Sequence, residues 1–131
     1  MGKSNGDMMK DEAKKSKILT ILLMKGPYVS EAADMAFKTA LKAKKMGYIV
    51  NVFLYLDGTW NTNLTVDKNY NNPGIWLKRV IRKGIKVKAC QRCSDARDLV
   101  EKNIIKGVQI EGSSKLIDFL MESDKVLTFG G

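Results

Sequence analysis

Cys90 and Cys93 are the only thiols of a 131-residue chain that contains no histidine. They sit in the stretch Ile85-Lys86-Val87-Lys88-Ala89-Cys90-Gln91-Arg92-Cys93-Ser94-Asp95-Ala96-Arg97, where a strand pattern gives way to a helix pattern. Without imidazole the usual general base is missing, so covalent chemistry in this chain falls on sulfur. Ser94 reads as an N-cap and Asp95 as a first-turn residue of a helix running to about Ile105, which places both cysteines beside unpaired N–H groups and a positive dipole end. A helix end contributes about 0.3–1 kcal/mol, less than one pKa unit, so cations must supply the rest of any acidification. Between Lys78 and Lys106 stand ten Lys or Arg against Asp95, Asp98 and Glu101. The expectation is therefore two acidified thiols in an electropositive setting that attracts an anionic sulfur species, with Arg92, Arg97 and Ser94 stabilising the anion.

The rest of the chain must position that pair. Ile18 to Met24 is a continuous apolar run of the kind buried in parallel sheets, and Ser30 to Met46 is an amphipathic helix with Ala33, Phe37, Ala40 and Leu41 on one face, stopped by Gly47. Tyr48 to Leu56 repeats the strand, and Gly74 to Lys83 the helix, opened near Pro73 and closed by Gly84. Ile85 to Ala89, Val108 to Ile110 and Lys125 to Phe129 complete the strands, with a helix over Ser114 to Glu122. This alternation predicts an α/β fold, a mostly parallel sheet with helices on both faces, and such sheets bind ligands beyond the carboxyl ends of their strands. Cys90 lies at one such end. The polar stretch Asp57 to Asn72 follows another and is long for a connection in a compact domain, so it is expected to act as a lid or an interface.

Composition bounds the class. With 44% hydrophobic residues and a net charge of +9, the chain reads as one domain over residues 17–131 behind a poorly ordered tail over residues 1–16. No apolar run reaches about 18 residues and Met1 to Lys17 lacks a signal-peptide stretch, which predicts a cytoplasmic protein with no membrane segment and reduced thiols.

Tyr55-Leu56-Asp57-Gly58-Thr59-Trp60-Asn61-Thr62-Asn63, then an Asn-rich loop, a helix with Trp76, and Gly84-Ile85-Lys86-Val87-Lys88-Ala89-Cys90 with Arg97 seven residues on, resembles the DsrE/DsrF-like family of sulfur-relay proteins, which includes the TusD type. The resemblance covers about residues 17–131. It implies a three-layer α/β/α fold with a five-stranded parallel sheet, assembly into dimers, trimers or larger rings, and one cysteine, by position Cys90, that accepts a persulfide and passes it on. The chain differs from the TusD type in carrying Cys93 and in reading Ala96-Arg97-Asp98 where that type ends Arg-Arg-Gly.

Other readings meet physical obstacles. A structural zinc site needs four ligands, and two cysteines without histidine leave a single chain short, so no metal and no cofactor are expected. Cys-x-x-Cys redox chemistry of the thioredoxin kind has a later proline facing the motif, whereas Pro27 and Pro73 both precede it here; thiol–disulfide exchange stays open as chemistry without that architecture. A basic nucleic-acid-binding module stays open as well, on charge and on Trp60, Tyr70 and Trp76, although Trp76 at helical spacing from Val80 reads as core. Gly26-Pro27-Tyr28 lacks the glycine spacing and the Gly-Lys-Ser/Thr of phosphate loops. The expected function is a sulfur carrier or sulfurtransferase-like protein: Cys90 holds sulfane sulfur as a persulfide received from a protein donor and yields it to an acceptor thiol, and the sequence leaves open whether Cys93 instead resolves the persulfide to a disulfide with release of sulfide. A chain this small cannot enclose a reactive persulfide, so a homo-oligomer, trimer or hexamer before dimer, is expected, with Asp57, Gly58, Trp60, Asn61 and Asn63 in the lid or interface.

Overall fold

The structure, a computed structural model, describes residues 17–64 and 73–130. The tail over 1–16 and residues 65–72 of the long excursion, Tyr70 among them, lie outside the described residues. In chain order the elements are β1 (Ile18–Leu23), α1 (Ala32–Lys45), β2 (Ile49–Leu54), a 3-10 helix (Leu56–Thr62), α2 (Pro73–Arg82), β3 (Lys86–Cys90) and α3 (Gln91–Asp95). They continue with a short 3-10 turn (Glu101–Asn103), β4 (Gln109–Glu111), α4 (Ser114–Glu122) and β5 (Lys125–Phe129). The five strands are all parallel, in the order β4-β3-β2-β1-β5. No helix among the described residues is long and apolar enough to cross a membrane.

Alternation along the strands sorts the sheet into two unlike faces. Leu19, Ile21 and Leu23 of β1, Val50, Val52 and Leu54 of β2, and Val87 and Ala89 of β3 are buried on one face, in one cluster with Ala33, Ala36, Phe37 and Ala40 of α1 and Leu77 and Val80 of α2. The spacing of those α1 residues, about one turn apart, makes the continuous stripe that binds helix to sheet. Gly47 and Gly84, at φ +98° and +81°, end α1 and α2 in the left-handed backbone that glycine adopts without penalty.

The other face is polar. Thr20 and Asn51, fully buried, lie on it beneath α4: Thr20 Oγ1 donates to the Phe119 carbonyl, and Asn51 Nδ2 donates to Glu122 at 2.8 Å. Phe53, Cys90, Cys93 and Phe119 form a separate small apolar cluster on this face, with Leu22, Tyr55 and Leu116 against it.

The helix after the cysteines departs from expectation. It starts at Gln91 with Cys90 as N-cap and ends at Asp95, instead of starting at Ser94 and running to Ile105. Its stop is a Schellman motif: Leu99 N donates to Ser94 O at 2.9 Å, Asp98 N donates to Asp95 O at 3.2 Å, and Asp98 takes φ 55°. An aspartate tolerates that backbone better than most residues, so no glycine marks the stop. Freed from the helix, Leu99, Ile104, Ile105 and Val108 pack into the aliphatic core shared with α1 and α2.

Candidate functional site

Cys90 is at once the last residue of β3 and the first boundary residue of α3, so its position at the carboxyl edge of the sheet follows from the strand register, in which it pairs with Glu111 of β4. Cys93 stands one helical turn on. Both are free thiols, 3% and 8% exposed, and they share one small apolar cluster with Phe53 and Phe119. They line a cavity of about 500 Å³ bounded by Tyr55 and Leu56, the Cys90 to Asp95 turn, and Gly112 and Ser113. A second cavity of about 440 Å³ adjoins it, sharing Gln91 and Asp95, whose side chains are joined at 2.8 Å, and reaching Glu101 and Glu111.

The Asp57 loop is built around the same thiols. Leu56 takes φ 53°, uncommon for a branched residue, and its N–H donates to Cys93 Sγ at 3.2 Å. Gly58 lies so close to β1 that a Cβ would stand 2.0 Å from the Leu23 carbonyl oxygen, which excludes every other residue type without backbone movement. Asn61 is fully buried and its Nδ2 donates to the carbonyls of Lys25 and Gly58, both at 2.9 Å; Asn63 bridges to Ile104. Trp60 packs half-buried against the main core. The first half of the excursion, expected as a lid or an interface, is a packed 3-10 helix that buttresses the site.

Electrostatics around the thiols are narrower than the charge count implied. Arg97 places Nε and Nη2 on one oxygen of Asp57 at 3.1 and 2.8 Å, while its Nη1 donates to the Cys93 carbonyl at 3.0 Å. It clamps loop to helix instead of standing free for an anion. Lys88 is bound to Glu111 and lies 5.7 Å from the centre of the Phe119 ring. The cations from Arg79 to Lys83 belong to α2 and its following turn, on the far side of the sheet. Arg92 is exposed and lines the thiol cavity. Ser94 is interior to α3 and buried, with no partner for its hydroxyl, so the expected N-cap role falls to the Cys90 backbone position. Burial pushes the Cys93 thiol up, the neighbouring Cys90 adds to the rise, and the Leu56 N–H and the Arg97 charge pull the other way. For Cys93 the net direction is opposite to the expected acidification.

Sequence reasoning missed Leu56, Phe53 and Phe119 as parts of the site. Leu56 acts through its backbone, and the two rings come from strands and helices far apart in the chain; none carries a local signal.

Fold and site together define a three-layer α/β protein with a dithiol at the carboxyl edge of a five-stranded parallel sheet. The DsrE/DsrF-like family profile matches residues 17–129, and this chain belongs to that family, which is generally associated with sulfur relay. An uncharacterised protein of Methanopyrus kandleri is 34% identical over 86% of the chain and 93% of its own length. Another, from Methanocaldococcus jannaschii, is 36% identical over 84% and 97%. Among solved structures, the YchN protein of E. coli superposes with a TM-score of 0.75 at 25% identity, covering 87% of this chain and 99% of that one. A protein of unknown function from Methanobacterium thermoautotrophicum shares the fold at a TM-score of 0.63 and 12% identity, covering 87% and 99%.

Proposed function

We propose that this protein is a sulfur carrier in which Cys90 accepts sulfane sulfur and Cys93 controls its release. The Cys90 thiolate attacks the outer sulfur of a donor persulfide; the new bond joins Cys90 Sγ to that sulfur, the donor S–S bond breaks, and the donor leaves as a thiolate that takes up a proton. An acceptor thiolate then attacks the outer sulfur of the Cys90 persulfide and restores the Cys90 thiolate. Alternatively the Cys93 thiolate attacks Cys90 Sγ, forming a Cys90–Cys93 disulfide and expelling hydrosulfide. That branch needs an external dithiol to reduce the disulfide before the next turn, which is the thiol–disulfide reading of the same motif.

One observation carries the proposal: two free thiols in one cluster at a strand end, both lining a cavity of about 500 Å³. Arg92 is the exposed cation available to an anionic sulfur species there. Cytoplasmic residence, where thiols stay reduced, is part of the proposal. So is self-association, as a trimer or hexamer: Ile117, Leu120 and Met121 of α4 and Val126 of the edge strand β5, in register with Thr20, are exposed apolar residues at the thinly covered side of the sheet. Intact-mass analysis after exposure to polysulfide tests the carrier role. The wild type and Cys93→Ser gain sulfur, Cys93→Ser keeps it longer, and Cys90→Ser gains none. Loading that persists in Cys90→Ser and vanishes in Cys93→Ser reverses the assignment. Light scattering after gel filtration tests assembly, and a monodisperse monomer near 14.7 kDa would remove it.

A further inference from the structure

The charge of this protein is concentrated away from its thiols. Residues 35–56 and 73–94 hold eleven of the 23 Lys and Arg and none of the 14 Asp and Glu, so these two segments carry more positive charge than the whole chain's +9. Lys88 is bound to Glu111 and Arg92 lies at the thiol cavity. The other nine lie on α1, on α2 or its following turn, or at the start of β3. Both helices run opposite to the strands they follow, so their carboxyl ends meet at the amino edge of the sheet. There Lys44 and Lys45 of α1 face Arg79, Arg82 and Lys83 across a groove of about 790 Å³ floored by Leu41. All five cations are exposed. None of them ion-pairs with a carboxylate among the described residues.

Cations in the last turn of a helix oppose the helix dipole favourably, at about 0.3–1 kcal/mol each. That accounts for a lysine or two on each helix. It does not account for two such ends facing one another with no acid between them among the described residues, an arrangement in which like charges repel within one Debye length, about 8–10 Å at moderate salt. An anion with several charges in a row relieves the repulsion. The flanking Trp76 ring is already engaged by cations, with Lys38 Nζ 5.0 Å and Arg79 4.7 Å from its centre, which compete with stacking by an unstacked base. The contacts available are charge contacts to a phosphate backbone.

We infer that the groove between α1 and α2 binds the phosphate backbone of duplex nucleic acid, without base readout, on the side of the sheet opposite the dithiol. Fluorescence anisotropy with a labelled duplex of roughly 20 base pairs, two helical turns, tests it. The expected result is micromolar binding with log K falling against log salt at a slope of about −4, as counterion release requires for four to five neutralised phosphates. Lys44→Gln/Lys45→Gln/Arg82→Gln should weaken binding at least tenfold and flatten the slope by about three, roughly one per cation removed. Lys44→Arg/Lys45→Arg should retain binding, and Lys115→Gln on α4 should leave it unchanged. Duplexes of unrelated sequence should bind alike. A slope shallower than −1, or a triple glutamine variant that is folded by circular dichroism and binds as the wild type does, overturns the proposal. Tighter binding to anionic phospholipid vesicles than to the duplex, lost in the same variant, would assign the groove to a membrane surface and also overturns it.

Discussion

The two faces of the sheet are made from the same strands yet built on opposite principles. Toward α1 and α2 the strands present Leu19, Ile21, Val50, Val52 and Val87, all buried aliphatics. Toward α4 the residues alternating with them include Thr20, Asn51 and Lys88, and apolar packing there shrinks to the small cluster that holds the thiols. The first face supplies the hydrophobic stabilisation of the fold, at about 1.5–3 kcal/mol per fully buried large side chain. The second is held by hydrogen bonds of about 0.5–1.5 kcal/mol net. The thiols therefore sit where the fold depends least on packing, so the proposed sulfur chemistry and the stability of the fold should be separable by mutation.

The sharpest test of that separation is Ile21→Ala, which opens a cavity in the aliphatic face. It should cost about 2–5 kcal/mol in denaturant unfolding and leave thiol alkylation rates in the folded protein unchanged. An equal loss from a substitution on the polar face would break the contrast. Asn51→Ala removes the bond to Glu122 and should cost about 1–2 kcal/mol. Arg97→Gln should cost under about 1 kcal/mol, because its partner Asp57 is largely exposed. It should nonetheless move Cys93 thiolate formation to higher pH, since it removes a charge that favours the thiolate; alkylation of Cys93 in a Cys90→Ser background reads this directly. The smallest effect is on stability against pH. Folded Cys93 holds its proton more tightly than its ordinary value near 9 allows. Its contribution is therefore complete below that value and is lost as pH rises through the higher folded one. Cys93→Ala should flatten the unfolding free energy in that alkaline window, and an unchanged slope would show that burial does not raise the thiol.

The order of elements was legible because burial leaves a local record. A period of two marks a strand and a period near 3.6 a helix, so β1 to β5 fall within two residues of where the apolar pattern places them, and Cys90 at a strand end is visible in the chain itself. The motif around Asp57 and Cys90 identified the family on the same local grounds. The helix after Cys93 was misplaced because its stop is a backbone conformation at Asp98 rather than a glycine.

What the sequence by itself determined, then, is the α/β alternation, the location of the dithiol and the absence of any other nucleophile of its kind. Which charges meet was decided by tertiary structure alone. Arg79 and Arg92 are thirteen positions apart and lie on opposite sides of the sheet, while Arg97 and Asp57 are forty apart and in contact. Side-chain periodicity records only whether a position is buried. The neighbour a charge finds depends on strand order and on the face each crossover takes, and those are set by long-range packing that no stretch of residues encodes on its own.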